Sequence, residues 1–248
     1  MTPIIAVIMV RNEDLYIKYV IEGVERFVDD ILMIDTGSTD DTVSIAKHCG
    51  VTPVHEPNLK KTHSYIEPYI GKNVWVFGVD GDEIFDPAGL ETLYSQIESG
   101  MYDLAYQVQG WFLHATEFTP GDNTAKGYLG PPAHTPTKLY NMSHISRWPN
   151  TYNDVLFHVG TRVHAGKKMR ALPDTWEGNP LRCVHTRFLR RSTADREEEV
   201  GVRFGPGHNA GKRLNSGFKG KDPAKNYRHN YRRGIIQEVE IWDMLREE

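Results

Sequence analysis

An apolar run that ends abruptly in acids constrains the fold of this chain most strongly. The run Val74–Val79 contains β-branched and aromatic residues, which predicts a strand covered on both faces. It is followed at once by Asp80, Asp82 and Glu83. Open α/β sheets place ligand crevices at the carboxyl ends of their strands, and two acids separated by one residue suit a hard cation such as Mg²⁺ or Mn²⁺. The alternative is an ordinary acidic loop at a strand end.

The N-terminal third repeats this alternation of apolar strand and helix. The short apolar runs Ile4–Val10 and Ile31–Ile34 predict buried strands, and each precedes a segment with apolar residues near helical spacing. Asp86 and Pro87 predict a further helix as its N-cap and first residue. The order strand, helix, strand, helix predicts an α/β fold with a mostly parallel sheet flanked by helices.

The second half has a looser pattern. Thr116–Pro136 is rich in Gly, Pro, Thr and Asn and predicts a long loop, and the glycines between 205 and 220 predict a mobile segment. An apolar stripe near the end of the sequence predicts a helix packed on the core, and its residues are Tyr227, Tyr231, Ile235, Val239, Trp242 and Leu245.

Composition excludes some classes of protein. The formal net charge of −4 argues against a dedicated nucleic-acid binder. The two cysteines, Cys49 and Cys183, argue against a disulfide scaffold and fit a reducing compartment. The N-terminal apolar run is too short for a transmembrane segment and lacks the features of a signal peptide. We therefore expect a cytoplasmic protein, either free or peripheral at a membrane surface.

Three motifs at the predicted strand ends, taken in order, resemble the family 2 glycosyltransferases of the GT-A fold. These motifs are Arg11-Asn12-Glu13, Asp35-Thr36-Gly37-Ser38-Thr39-Asp40 and Val79-Asp80-Gly81-Asp82-Glu83. The pattern is most similar to the branch that includes bacterial lipopolysaccharide-core transferases. The resemblance implies one GT-A domain over residues 1–248, with a nucleotide-sugar-binding half at 1–110 and an acceptor-side half, including the C-terminal helix, at 111–248.

The resemblance assigns the acidic pair to the diphosphate. Asp80, Gly81 and Asp82 match the family's DxD motif, whose first acid faces the ribose and whose last acid binds the metal that bridges the two phosphates. The implied cofactor is Mn²⁺ or Mg²⁺, which acts as a Lewis acid when the nucleoside diphosphate leaves.

Residues at the first two strand ends are implied to contact the nucleoside. Asp35 matches the acid that hydrogen-bonds the nucleotide base, usually uracil, since a carboxylate can accept from an imide N–H. Val10, Arg11 and Glu13 lie where the family also contacts the nucleoside. Without the family, Asp35 would be read as a turn-forming acid at a helix start.

The matches in the second half are weaker. Lys138-Leu139-Tyr140 matches a basic-aromatic strand, and His185 matches a histidine that completes the metal shell or touches the diphosphate. Arg187 and Arg190, together with Arg191, follow closely and are implied to grip the diphosphate through forked N–H donors. The alternative for these arginines is a solvated basic face.

The candidate general base departs from the family pattern. The branch carries a His-Glu pair where this sequence has Asn153-Asp154. The resemblance implies that Asp154 takes the proton of the acceptor hydroxyl, which requires hydrogen-bond reach to that hydroxyl. The alternative is a turn or capping acid.

Together these roles predict a metal-dependent, inverting glycosyltransferase of hexosyltransferase type. Its donor is a nucleotide-diphosphate sugar, with a UDP-sugar favoured, and its acceptor is a hydroxyl of a glycan, glycolipid or other molecule. Residues 187–233 hold 13 Lys or Arg against five Asp or Glu, which favours an anionic acceptor. We expect no stable nucleic-acid complex. The loop at 116–136 and the segment at 205–220 are expected to close over the donor.

Several alternatives remain open. One is a nucleotide-binding module that keeps the fold without transferase activity, since the His-Glu pair is missing. Another is a viral-type transferase that acts on modified nucleic acid. A DxDx(T/V) phosphatase fits less well because Glu83-Ile84 follows Asp82, and a sugar-nucleotide pyrophosphorylase fits less well because Arg11–Asp14 is not a Gly-rich loop.

Overall fold

The computed structural model describes residues 2–105, 107–129, 137–148, 169–171, 175–187, 189–194 and 237–242. Asp154 and the segment at 205–220 lie outside these residues. The strands of the described part are β1 (Ile4–Val10), β2 (Asp30–Asp35), β3 (Val54–His55), β4 (Trp75–Asp80), β5 (Glu83–Phe85), β6 (Gln107–Gln109), β7 (Trp111–Glu117), β8 (Thr124–Leu129), β9 (Thr137–Asn141), β10 (Met169–Ala171), β11 (Arg182–His185) and β12 (Gln237–Glu240). The α-helices are α1 (Ile17–Val24), α2 (Thr42–His48) and α3 (Pro87–Glu98), and 3₁₀ turns span Leu59–Tyr65, Glu67–Tyr69 and Met142–His144.

The strands form two sheets. The larger has the order β10-β6-β9-β4-β1-β2-β3, and the smaller has the order β12-β8-β7-β11-β5. In the larger sheet β4, β1, β2 and β3 run parallel, whereas β9 is antiparallel to both of its neighbours. The predicted α/β fold class, with a mostly parallel sheet flanked by helices, is confirmed.

The central strand β1 is covered on both faces, as its unbroken apolar run predicts. Ile4, Ala6 and Ile8 belong to one buried cluster, whereas Val7 belongs to a second cluster on the opposite face. All four side chains are fully buried. A strand in this position has no solvent-facing side, so its sequence lacks the polar alternation of a half-exposed strand.

Aromatic side chains connect the two sheets. Phe77 of β4 packs on Phe85 of β5 with ring centroids 4.8 Å apart, and Phe85 packs on Phe112 of β7 at 6.0 Å. The acidic motif lies between β4 and β5. This packing therefore holds the motif where the two sheets meet.

One predicted helix start is confirmed and two predictions about the second half are wrong. The carboxylate of Asp86 accepts from the backbone N–H of Ala88 at 3.1 Å, and Pro87 is the first residue of α3. The predicted loop at 116–136 instead contains the end of β7 and all of β8, because Ala125 and Tyr128 are buried and β8 pairs with β7.

The predicted C-terminal helix is wrong at Gln237–Glu240, which forms strand β12 against β8. Backbone pairing and the contact between Lys126 and Glu238, at 3.4 Å, replace the expected helical packing. The earlier part of the predicted helix lies outside the described residues. No α-helix of the described part has the length and apolarity that crossing a membrane requires.

Candidate functional site

The carboxyl ends of three parallel strands meet at one edge of the larger sheet. Val10 at the end of β1 is level with Asp35 of β2, and Met9 is level with Asp80 of β4. The pairing continues past the strands, because Gly81 donates its backbone N–H to the Met9 carbonyl at 3.0 Å. The first three predicted motifs are therefore brought together.

The loop after β1 is tied to the loop after β2. The side-chain oxygen of Asn12 accepts the backbone N–H of Thr39 at 2.7 Å, and the backbone N–H of Asn12 donates to Ser38 Oγ at 2.9 Å. Asn12 has a positive φ of 56°, which asparagine tolerates better than most residues. Next to it, Glu13 is buried whereas Arg11 is exposed.

Asp35 is a buried carboxylate held by donors. Its Oδ1 accepts the backbone N–H of Ser38 at 2.9 Å, and its Oδ2 lies 3.1 Å from His55 Nδ1. Burial alone would raise the pKa of Asp35, but hydrogen bonds from Ser38 and His55 outweigh burial and hold the pKa below its usual value. The carboxylate is therefore ionised and oriented at the edge of the sheet.

Gly81 is required by the close packing of the first and fourth strands. A Cβ atom at this position would lie 2.7 Å from Glu13 Cγ and 2.8 Å from Val10 Cγ1. Such distances are shorter than a carbon–carbon contact allows. The glycine lets the acidic turn approach the end of β1.

The first acid of the motif binds a buried lysine. Lys138 Nζ of β9 lies 3.0 Å from Asp80 Oδ2 and 2.7 Å from Glu83 Oε2, and the lysine side chain is fully buried. Burial alone would lower the pKa of Lys138, but the two carboxylates outweigh it and raise the pKa above its usual value. The lysine is therefore charged and fixes both acids.

The second acid of the motif faces an arginine and a histidine. Asp82 Oδ2 contacts Nη1 of Arg191 and lies 3.3 Å from His185 Nε2. The same Arg191 nitrogen is 3.2 Å from Glu13 Oε1. Burial alone would raise the pKa of Asp82, but the Arg191 guanidinium in particular outweighs burial and holds the pKa well below its usual value.

His185 reaches Asp82 because of the strand order in the smaller sheet. Strand β5 directly follows the acidic motif and pairs with β11, where His185 is level with Glu83. Backbone hydrogen bonding extends this pairing, since Thr186 donates its N–H to the Asp82 carbonyl at 2.8 Å. The predicted proximity of His185 to the DxD acids is thus seen in the geometry.

A second histidine at the site was missed by the sequence reasoning. His114 of β7 is level with His185 of β11, and the two Nδ1 atoms lie 2.9 Å apart. Burial is the main cause that lowers the pKa of both imidazoles, and the pKa of His114 lies well below its usual value. The only signal in the sequence is a polar residue within an otherwise buried strand, which is informative where it occurs.

The three arginines that follow His185 have different positions. Arg187 is half-buried and close enough to lower the pKa of His185. Arg190 is exposed and donates to the carbonyls of Ser192 and Thr193, each at 2.9 Å, so its side chain is held on its own loop. The buried Arg191 forms ion pairs with Asp82 and Glu13.

Residues 189–194 lie across the first two strand ends. The backbone N–H of Leu15 donates to the Arg191 carbonyl at 3.2 Å, and Thr193 donates its backbone N–H to Asp14 Oδ1 at 2.8 Å. The Ser192 hydroxyl contacts the carboxylate of Asp40. This segment therefore carries Arg191 into the site.

The donor set fits a divalent cation that also binds phosphate. Asp82 is ionised and His185 is neutral. Asp82 Oδ2 and His185 Nε2 are 3.3 Å apart, a separation that two ligands of one ion can have. Within the described ranges no three His, Cys, Asp or Glu side chains form a closed metal cage. Mg²⁺-type sites commonly use one or two carboxylates and take their remaining ligands from phosphates and water. A cation at Asp82 Oδ2 requires Arg191 to move from that oxygen.

The chain matches the model of a known protein family over more than half of its length. Residues 5–162 match the family described as "Glycosyl transferase family 2". An uncharacterised glycosyltransferase of Rickettsia felis is 30% identical over 158 residues, covering 62% of this chain and 52% of the relative. A second, from Rickettsia conorii, is 30% identical over 153 residues, covering 60% and 51%. The chain spans about half the length of these curated relatives.

Solved structures of glucosyl-3-phosphoglycerate synthase from Mycobacterium tuberculosis also resemble the chain. The complex with Mn²⁺ and UDP-glucose has a TM-score of 0.35 and 21% identity, covering 44% of this chain and 43% of that one. The complex with Mg²⁺ and UDP has the same TM-score, identity and coverage. A likeness at this level assigns no ligand to the present chain.

Proposed function

Because this chain belongs to glycosyl transferase family 2, we propose that it transfers a sugar from a nucleotide-diphosphate donor to an acceptor hydroxyl. The observation that carries the proposal is the convergence of Asp35, Asp80 and Asp82 at the carboxyl ends of neighbouring strands, with His185 beside Asp82. Open α/β sheets bind their ligands in the crevice at the carboxyl ends of their strands, which is where these carboxylates lie.

The nucleoside lies against the ends of β1 and β2 in this proposal. The Asp35 carboxylate is an acceptor only, so it selects a base that presents an N–H, as uracil does. Ser38, Gly37 and His55 already donate to this carboxylate, and His55, whose side chain is 67% exposed, is the donor that a bound base would displace. A UDP-sugar is therefore the favoured donor, with Val10, Arg11 and Glu13 nearby.

The diphosphate lies beside Asp82 and His185, and Asp80 faces the ribose. A divalent cation, Mn²⁺ or Mg²⁺, held by Asp82 and His185 would supply Lewis-acid neutralisation of the leaving diphosphate. Lys138 keeps Asp80 in one orientation through their 3.0 Å contact. Arg191, once released from Asp82, carries a forked donor suited to phosphate oxygens, and Arg187 adds positive charge on the same side.

The acceptor side is proposed from the sequence. Asp154 acts as the general base that takes the proton of the acceptor hydroxyl as the sugar's anomeric carbon is attacked. A single displacement of this kind inverts the configuration at that carbon. The excess of Lys and Arg in residues 187–233 favours an anionic glycan, glycolipid or similar acceptor.

The proposal is tested by donor binding and turnover. The wild-type chain is incubated with UDP-glucose, UDP-galactose and UDP-N-acetylglucosamine in MnCl₂, and UDP release is measured with and without EDTA. We expect slow release that EDTA abolishes and that Asp82→Asn lacks. Asp122→Asn changes an exposed acid in the turn between β7 and β8 and serves as the matched control.

Two results would count against the proposal. The first is a wild-type chain that shows no thermal shift with UDP or any of these sugar donors in MnCl₂, since a ligand at about 100 times its Kd adds about 2.7 kcal/mol to the free energy of unfolding. The second is donor binding without UDP release under any condition, which would favour a nucleotide-binding module without transferase activity.

A further inference from the structure

Two side chains of the smaller sheet hold the ring of His185. His114 meets it through the contact between the two Nδ1 atoms, at 2.9 Å. Phe112 of β7 meets the same ring edge to face, with centroids 5.8 Å apart and planes at 87°. His185 is therefore fixed by one polar and one aromatic neighbour, while its Nε2 faces Asp82.

The contact between the nitrogens carries a single proton. One Nδ1 atom must donate and the other must accept for a separation of 2.9 Å to be favourable. When Nε2 of His185 is free to bind a cation, its ring proton resides on Nδ1 and is donated to Nδ1 of His114. His114 then carries its own proton on Nε2.

We propose that His114 is a positioning residue for cation binding: it accepts the Nδ1–H of His185 and so keeps the lone pair of His185 Nε2 directed at the ion beside Asp82. A metal-binding histidine is commonly held in this way by a partner on its other nitrogen, which fixes the ring and its tautomer. The proposal rests on the proposed function, because it requires a cation at Asp82.

The register of the strands makes this role specific to His114. Strand β11 lies between β5 and β7, so the acidic turn, His185 and His114 lie in one row across the sheet. A residue that served packing alone in the middle of this buried strand could be apolar, like the neighbouring Leu113 and Ala115. A polar ring at this position requires a hydrogen-bond partner, and His185 is one.

The test compares three substitutions by their affinity for Mn²⁺. His114→Phe keeps a planar ring but removes the nitrogen that accepts from His185. His114→Asn restores an amide that can accept or donate near the former Nδ1 position. His144→Phe is the control, because His144 bonds the Asp103 carbonyl at 2.9 Å and follows β9 at the opposite edge of the sheet.

Free Mn²⁺ is titrated by electron paramagnetic resonance in saturating UDP, and urea unfolding of each variant is recorded separately. We expect His114→Phe to weaken Mn²⁺ binding by about 10–100-fold. His114→Asn should recover most of that loss, and His144→Phe should bind as the wild type does. A purely structural role would instead lower stability in both His114 variants without separating their Mn²⁺ affinities.

His185→Ala separates failure of this inference from failure of the proposed function. If His185→Ala and Asp82→Asn bind Mn²⁺ as tightly as the wild type, the cation does not bind at this site and both proposals fall. If His185→Ala loses affinity while His114→Phe keeps it, the positioning role of His114 is wrong and the cation site stands.

Discussion

Replacing Lys138 by methionine tests the charge arrangement beneath the acidic motif. The lysine is fully buried and lies within 3.0 Å of both Asp80 and Glu83. Methionine keeps much of the aliphatic stem but leaves two carboxylates without their cation. Removing one partner of a buried ion pair costs about 3–5 kcal/mol, because the remaining charge stays desolvated. We expect the free energy of unfolding of Lys138→Met to fall by about that amount.

The chain offers a matched control on its surface. Lys126 also contacts two carboxylates, those of Glu117 at 3.2 Å and Glu238 at 3.4 Å, but its side chain is 44% exposed. Exposed ion pairs contribute little because water already solvates both partners. We expect Lys126→Met to unfold at the same urea concentration as the wild type.

The assay is urea unfolding followed by tryptophan fluorescence and circular dichroism. If Lys138→Met fails to fold, the double variant Lys138→Met/Glu83→Gln is measured instead. It should recover part of the stability, because it removes one buried carboxylate that has lost its cation. If Lys138→Met loses no more stability than Lys126→Met, the buried lysine does not stabilise the two acids.

The same variant has a predicted pH dependence. Burial already raises the pKa of Glu83, and removing Lys138 raises it further. A carboxyl group whose pKa is higher in the folded state loses stability as the pH rises above its unfolded value, about 4.3. The loss in the free energy of unfolding of Lys138→Met relative to wild type should therefore be larger at pH 8 than at pH 5.

Three further predictions concern the edge of the sheet. Arg191→Met should tighten binding of Mn²⁺ in the absence of nucleotide, because the guanidinium occupies Asp82 Oδ2, and unchanged or weaker binding in an electron paramagnetic resonance titration would contradict this. The pKa of Asp35 is lowered in the folded state. Wild type should therefore be more stable than Asp35→Asn above pH ~4, and this difference should be lost as the pH falls through the pKa of the folded state. An equal difference in the free energy of unfolding at pH 6 and pH 3, measured with urea, would contradict this. Gly81→Ala places a methyl group 2.7 Å from Glu13 Cγ and should cost about 1–3 kcal/mol in the same assay, whereas wild-type stability would show that the turn can move.

The strands that carry the acids could be predicted because they are buried on both faces. In β1, and in β4 up to Val79, every residue is apolar or small, so each strand gives a continuous run that ends where the ligand crevice begins. The acids after these runs are close in sequence to the strands that position them. Local sequence is therefore sufficient to predict that Asp35, Asp80 and Asp82 lie at strand ends.

The contacts of His114 could not be predicted in the same way. His114 and His185 are 71 residues apart, and they meet only because β7 and β11 are neighbours in the smaller sheet. No spacing along the chain encodes that register. The buried Arg191 is a similar case, since its contact with Asp82 spans 109 residues.

Strand pairing explains the two wrong assignments of secondary structure. Strand β8 combines exposed Thr124 with buried Ala125 and contains Gly127, a composition that usually indicates a loop. Strand β12 is short and mostly exposed, so its residues show no clear period of two. In both strands the pairing partner, rather than local propensity, determines the structure.

Anomalous diffraction above the manganese absorption edge, from crystals soaked with MnCl₂ and UDP, would show whether a cation binds beside Asp82. We expect one strong anomalous peak within coordination distance of Asp82 and His185, with the uracil N–H against Asp35 and Arg191 moved away from Asp82. If UDP binds with no peak at this position, or if the peak lies elsewhere on the chain, the proposed cation site is wrong.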